Sequence, residues 1–365
     1  MRIIVMPGDG IGPEIAAATV RVLRHASVRF GLDLTLEEHD IGFASLKHLG
    51  ATITPSVLRA CAEADGIVLG PISHADYPPR AEGGINVSAE LRVKLDLYAN
   101  IRPSRSREGI RHWGRTPMDL VIVRENTEGF YADRNMFLGS GELMPDADTA
   151  LAVRKVTAKA SRRIARTAFE LARKRRRKVT AVHKANVLKI TESVFLREAR
   201  DVAREFADVD YDEQLVDSMA ALLVRDAQRF DVVVTTNMFG DILSDEAAEL
   251  SGSLGLAGSV NAGDAHGMAQ AQHGSAPDIA GQDRANPASL ILSAAMLLEW
   301  LAMRHGKEPF ARAARAIEDA VDRLLADPAS RTRDLGGTLG TRAYADALCR
   351  ELERAGAKPS PLRRP

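Results

Sequence analysis

The feature that most constrains this chain is a regular alternation along its whole length. Short apolar, β-branched runs alternate with helix-length amphipathic stretches. Strand-like segments fall near residues 2–6, 32–39, 66–70, 119–124, 179–183, 208–215 and 231–236. Helix-like segments fall near 12–29, 54–64, 157–175, 191–206, 287–305, 308–326 and 338–354. Strands joined through helices run parallel, and a parallel sheet needs both faces covered, so the pattern predicts an α/β fold. Thr54-Pro55 and Asn286-Pro287 each set a capping residue before proline and mark two helix starts. The stretch 253–286 is glycine-rich without periodicity and is expected to form long loops, which in a compact protein are usually functional. The tail from Lys358 to Pro365 is expected to fray.

The 365 residues allow two lobes or one large α/β unit with a deep core. Lysine plus arginine and aspartate plus glutamate number 49 each, so the formal charge is zero and no nucleic-acid partner is implied. Cys61 and Cys349 lie far apart without CxxC spacing, which excludes a disulfide framework and fits a reduced cytoplasm. No apolar run approaches the ~20 residues of a membrane span, and the chain opens on a strand rather than a signal peptide. The run Arg173 to Lys178 is basic throughout; it is read as the solvated end of the helix that starts near Thr157.

The most informative stretch for chemistry is Asn237-Met238-Phe239-Gly240-Asp241-Ile242-Leu243-Ser244-Asp245, directly after the apolar run 231–236. Asp241 and Asp245 are four apart, so on a helix they point the same way. Two adjacent carboxylates repel unless a cation sits between them, which points to a divalent metal. Three arginines, Arg92, Arg102 and Arg124, stand at loop or strand junctions, where planar two-pronged donors suit a substrate with several carboxylates. Lys184, in His183-Lys184-Ala185-Asn186-Val187, is placed for proton transfer, and Asp217 would supply a third carboxylate. The loop 273–281 (HGSAPDIAG) is dense in small residues and permits close approach of a flat ligand. Gly8-Asp9-Gly10-Ile11-Gly12 lacks dinucleotide-fingerprint spacing, so a Rossmann fold is rejected in favour of a tight strand-to-helix turn near a ligand.

With these motifs in order, the chain resembles the isocitrate/3-isopropylmalate dehydrogenase family of metal-dependent β-decarboxylating dehydrogenases. The resemblance is carried by GDGIGPE at 8–14, LDLYANIRP at 95–103, RENTEG at 124–129, HKANV at 183–187, NMFGDILSD at 237–245 and HGSAPDIAG at 273–281. It implies a two-domain isopropylmalate dehydrogenase-like fold, with 1–99 plus 252–365 as nucleotide-binding domain and 100–251 carrying substrate, metal and dimer contacts. Arg92, Arg102 and Arg124 would hold the carboxylates of a malate backbone, beside Ser88. Asp241 and Asp245 would bind Mg²⁺ or Mn²⁺, joined by Asp217 from a second subunit. Tyr131 and the second subunit's Lys184 would be the acid-base pair. Asn186, His273, Gly274, Ser275, Ala276, Asp278, Ile279 and Asn286 would line the NAD site. A carboxylate at Asp278 would accept from both ribose hydroxyls and repel a 2′-phosphate, favouring NAD over NADP. The implied partners are a small di- or tricarboxylate and a second copy of the chain in a homodimer with shared active sites.

The residues before Arg92, Asn86 to Leu91, would read the substrate's C3 substituent. They are polar and small, which favours isocitrate or a malate- or tartrate-type acid, with 3-isopropylmalate or homoisocitrate as the alternative. One departure stands out: the family usually reads Glu-Pro-Val before the histidine, whereas here it is Gln270-Ala271-Gln272, so altered charge is expected on the nicotinamide side. Two other classes compete. A metal-dependent hydrolase leaves the arginines and the 273–281 loop unexplained, and a catalytically silent ligand-binding paralogue would have no need of Tyr131, Lys184 and three aspartates.

Overall fold

The computed structural model of the protein describes residues 1–131, 136 and 139–354; the expected frayed segment 358–365 lies outside them. Its first third runs β1 (Arg2–Met6), α1 (Gly12–Phe30), β2 (Thr35–Glu38), α2 (Gly42–Leu49), α3 (Pro55–Glu63), β3 (Gly66–Leu69), α4 (Val87–Lys94) and β4 (Ala99–Arg105). The middle follows with β5 (Asp119–Glu125), β6 (Glu142–Asp146), β7 (Thr149–Ala152), α5 (Ala158–Ala172), β8 (Lys178–His183) and α6 (Lys189–Glu205). Then come β9 (Asp210–Leu215), α7 (Val216–Asp226), β10 (Val232–Thr235) and α8 (Asn237–Ser251). The last part is β11 (Val260–Ala262), β12 (Gly267–Gln270), α9 (Ala288–His305), α10 (Glu308–Ala326) and α11 (Thr341–Arg354).

Ten strands form one sheet in the order β2-β1-β3-β12-β11-β4-β5-β10-β8-β9, and β6 pairs with β7 apart from it. Both outer parts are parallel, as the alternation predicts. Between them β11 runs antiparallel to β12 and β4, and β4 antiparallel to β5, so two parallel blocks meet at an antiparallel seam. Helices α1, α9, α10 and α11 cover one face of the first block, with α3 and α4 opposite. Helices α5 and α6 cover one face of the second block, with α7 and α8 opposite. Both faces of each parallel block are thus covered, the condition a parallel sheet requires. Cys61 and Cys349 are free and buried. Among the described residues no helix is long and apolar enough to cross a membrane.

Several expectations need correction. The 253–286 stretch is not loop throughout, because it supplies β11 and β12 at the seam. Those strands are only three and four residues long and almost wholly buried, so neither length nor alternation could reveal them. Helix α4 escaped notice because buried polar residues, Ser88 and Arg92, interrupt its apolar face. Helices α2 and α7 and strand β4 were likewise not predicted as elements. Thr54 caps α3 by accepting from the Val57 amide, as expected; Pro287 sits one residue early, at the cap of α9, and Asn286 accepts from Ala288.

The basic run does not belong to α5, which ends at Ala172 before the chain turns through a positive φ at Arg177 into β8. Arg173 pairs with Asp208, Arg175 with Asp119 and Asp231, and Lys178 with Asp212, so carboxylates of neighbouring strands and loops balance it. Asp231 is the buried member of this set and also accepts from the Arg176 amide at 2.8 Å. Asp231→Ala would leave those donors without their acceptor, and should lower the unfolding free energy by about 2–3 kcal/mol in a urea titration. A loss below about 0.5 kcal/mol would contradict that role.

Candidate functional site

Helix α8 starts where β10 ends, so Asp241 and Asp245 stand on its first turns beside the carboxyl end of the sheet. This is the edge at which α/β sheets bind ligands. Arg124, next to last in β5, is only 2% exposed. Its Nε and Nη2 donate to Asn237 Oδ1 at 2.9 and 2.6 Å, and Nη1 donates to Asp241 Oδ1. Arg102 in β4 is buried and donates from Nη1 to Ser244 Oγ at 2.8 Å and to Asp245 Oδ1 at 3.1 Å, with Asp241 Oδ1 at 3.3 Å. Tyr131 donates its hydroxyl to Asp241 Oδ2 at 3.0 Å, under the Arg124 guanidinium. Five of the expected residues, Arg102, Arg124, Tyr131, Asp241 and Asp245, therefore form one cluster. Gly240 makes it possible: a Cβ there would stand 2.7 Å from the Arg124 side chain.

The charges split the two aspartates. Burial pushes Asp241 up, but Arg124 and Arg102 outweigh it and hold the carboxyl below its ordinary range. Burial, reinforced by the Asp241 charge, pushes Asp245 up against the pull of Arg102. Burial and the neighbouring Arg124 bring Arg102 down to about 10. A hard cation would relieve the Asp241–Asp245 repulsion, and both side chains offer the oxygen donors that Mg²⁺ and Mn²⁺ take.

Ser88 and Arg92 reach the site from α4, one turn apart. Ser88 Oγ and Arg92 Nη2 both donate to Gln270 Oε1, at 3.1 and 3.2 Å, and Arg92 is close enough for its charge to act on Asp241. Gln270, expected on the nicotinamide side, neighbours the residues expected to hold the substrate. Asn261 of β11 donates to the same oxygen at 3.3 Å and accepts from Asn126 at 3.0 Å.

Lys184 and Asp217 form a second group at the ends of β8 and β9, with Nζ to Oδ1 at 2.6 Å, and this bond holds Asp217 below its usual range. Exposed Asn186 lies in the same turn. Among the described residues no three His, Cys, Asp or Glu side chains gather as a metal-binding group, so Asp217 does not join Asp241 and Asp245 within one chain.

The 273–281 loop packs on the glycine turn after β1. Ser275 O accepts from the Ile11 amide at 2.8 Å, Ser275 Oγ meets Ser73 Oγ at 2.7 Å, and a Cβ on Gly10 would strike Ser275 O. That confirms a tight turn there. Gly274 has open space beside it, and buried His273 Nε2 has no hydrogen-bond partner among the described residues. Ala276 holds a left-handed φ of 37°, and the Asp278 carboxylate is exposed. An orphaned imidazole nitrogen, an open glycine face and an outward carboxylate fit a flat, hydroxyl-bearing ligand. Asn286 has both ends of its amide occupied, giving to Asp334 and accepting from the Ala288 amide. Ile279 packs on the core below.

Sequence reasoning missed Asn237, Ser244, Asn261 and Asn100, whose Oδ1 accepts from Arg102 Nε. Their signal was present only as buried polar residues beside arginines. The two glutamates of RENTEG turn out to be scaffold. Glu125 accepts from the Thr127 and Glu128 amides, and Glu128 accepts from Thr157 at the start of α5.

Buried arginines and paired carboxylates thus converge beside the carboxyl ends of β5 and β10. The chain belongs to the isocitrate/isopropylmalate dehydrogenase family, whose model matches residues 2–348. It is a family of decarboxylating dehydrogenases, and the chain is an enzyme of that kind. The chain is 37% identical to a 3-isopropylmalate dehydrogenase of Saccharolobus solfataricus over 348 residues, 95% of this chain and 98% of the relative. It is 40% identical to an isocitrate/homoisocitrate dehydrogenase of Thermus thermophilus over 354 residues, 96% and 98% of the two. The crystal structure of isocitrate dehydrogenase from Methylococcus capsulatus superposes with a TM-score of 0.84 at 40% identity, covering 96% of this chain and 99% of that one.

The Gly240 contact yields a sharp expectation. Gly240→Ala should leave α8 folded, since alanine favours helix, while the added methyl displaces Arg124. Substrate KM should rise about tenfold or more, with an overpacking loss of about 1–3 kcal/mol in unfolding free energy. An unchanged KM would show that Arg124 does not need its seat on α8.

Proposed function

We propose that the protein carries out NAD- and Mg²⁺- or Mn²⁺-dependent oxidative decarboxylation of a malate-backbone 2-hydroxy acid. The observation that carries this reading is the cluster in which two buried arginines and Tyr131 converge on the Asp241–Asp245 pair. Arg92, Arg102 and Arg124 hold the substrate carboxylates, and Asp241 and Asp245 hold the cation. When bound, the cation polarises the C2 hydroxyl and NAD accepts the hydride. Lys184 of a second copy takes the hydroxyl proton, with Asp217 of that copy completing the metal site. Tyr131 returns a proton at C3 after CO₂ leaves. His273, Gly274, Ser275, Ala276, Asp278 and Ile279 border the dinucleotide, with Asn186 of the second copy approaching it and Asn286 shaping the loop's end. The exposed carboxylate of Asp278 supports NAD over NADP.

Two features support the second copy. Apolar side chains that a monomer would leave in water flank both half-sites: Ile242 is 60% and Ile190 82% exposed, and Val187 lies beside Lys184. The β6–β7 ribbon is exposed along its whole length, with Leu143, Met144 and Leu151 outward, and a lone two-stranded ribbon is marginal in water. The antiparallel β4–β11 pairing supports a division near it into 1–99 plus 252–365 and 100–251.

For the C3 substituent, the relatives named 3-isopropylmalate dehydrogenase support that acid, and another is named for isocitrate and homoisocitrate alike. The part-buried Ser88–Gln270 hydrogen bond favours a polar substituent, as in isocitrate, malate or tartrate. NADH formation with Mg²⁺ and D-malate, tartrate, isocitrate, homoisocitrate and 3-isopropylmalate decides between them. One acid should be oxidised with NAD preferred over NADP, and a chelator should abolish the rate until Mg²⁺ or Mn²⁺ is restored. No NADH from any of the five would overturn the proposal.

A further inference from the structure

We infer that Arg154 and Glu192 are positioning residues, whose buried ion pair sets the turn that carries Lys184 and the segment that carries Tyr131. The inference rests on the reading of those two side chains as the acid-base pair and says what holds them in place.

Arg154 stands between the β6–β7 ribbon and α5, where a solvated charge would be ordinary. Its side chain is instead only 7% exposed, and that of Glu192 is wholly buried. Arg154 Nη2 donates to Glu192 Oε1 at 2.6 Å and to Thr236 Oγ1 at 3.1 Å, and Nη1 donates to Thr191 Oγ1 at 2.6 Å. The guanidinium carbon also lies over two aromatic rings, 5.8 Å from the Phe130 centroid and 5.6 Å from that of Phe239.

These partners come from the three segments that carry the chemistry. Thr191 and Glu192 stand at the start of α6. Leu188 immediately precedes that helix, and the Leu188 and Val187 amides donate to Lys184 O at 2.9 and 3.0 Å. A shift at the start of α6 therefore shifts Lys184. Burial pushes the Glu192 carboxyl up, against the pull of Arg154 and of the Lys184 amide. Thr236 precedes α8, the helix of Asp241 and Asp245, and Phe239 lies in its first turn. Phe130 is the chain neighbour of Tyr131.

Charge is what gives the pair its hold. A buried guanidinium is tolerable only with its acceptors in place, so Arg154 ties all three segments to one point. An apolar side chain could fill the space but could not orient the oxygens of Thr191, Glu192 and Thr236. None of the partners is an arginine read as holding the substrate, so the loss should fall on turnover rather than on binding. With Lys184 lent to the second copy and Tyr131 kept, one ion pair braces parts of two active sites.

The test compares the wild type with R154K and R154M/E192Q, using Mg²⁺, NAD and whichever of the five acids is oxidised fastest. The double variant removes both charges and leaves neither unpaired, so it should melt within a few degrees of the wild type. Its kcat should fall about tenfold or more, with KM for the acid and for NAD within about threefold. R154K keeps the ion pair and should recover kcat to within about threefold of the wild type. Lost stability alone would lower the melting temperature and leave kcat per folded protein unchanged. Should the double variant not fold, E192Q, which keeps an acceptor for Arg154, is held to the same expectations. A kcat within about twofold of the wild type, a loss carried by KM, or a loss that R154K does not recover would overturn the inference. Hydrogen exchange reads the geometry without turnover: the Val187 and Leu188 amides should exchange about tenfold faster or more in the charge-free variant. Unchanged exchange there would also overturn the inference. If the wild type oxidises none of the acids, the proposed activity fails instead, and the exchange rates alone decide the positioning.

Discussion

The structure turns on one buried guanidinium. Arg124 lies almost wholly inside the protein, and a charge there is tolerable only if every donor finds an acceptor. Asn237 takes two of its donors and Asp241 a third, and both acceptors come from α8. Helix and strand must then approach closely, which Gly240 allows. Arg102 makes the same demand from β4, through Asn100, Ser244 and Asp245. The crossing of β4, β5 and α8 is thereby fixed, and the two aspartates are left leaning outward, half-buried and under strong positive potential. Against burial, the arginines hold Asp241 below its ordinary range, while burial and the Asp241 charge hold Asp245 above it.

The sequence made much of this visible and hid some of it for a physical reason. Long elements with clean periodicity, such as α1, α9 and α10 and the valine run of β10, were legible because apolar burial alone positions them. The charged residues were legible as motifs because few scaffolds need arginines and aspartates at such junctions. Elements that serve the site were hardest to see. Helix α4 buries Ser88 and Arg92, and β12 ends in Gln270, so polar groups sit where periodicity would place apolar ones. Likewise no spacing rule could show that Gln270 faces Arg92, since 178 residues separate them in the chain.

The site also reads as half of something. Lys184 and Asp217 neutralise each other at a separate position, and exposed apolar side chains lie beside both groups. A second copy that brings the Lys184–Asp217 pair to the Asp241–Asp245 pair would exchange a surface ion pair, which contributes little, for a complete acidic site. Family membership fixes the type of chemistry.

The most direct measurement is Mn²⁺ titration followed by electron paramagnetic resonance, in which free aqueous Mn²⁺ gives the signal. Wild type with a bound 2-hydroxy acid should take up one Mn²⁺ per chain, and Asp241→Asn should weaken that binding at least tenfold at unchanged melting temperature. Equal Mn²⁺ affinity in the two proteins would contradict the assignment of the Asp241–Asp245 pair, and with it the chemistry built on it.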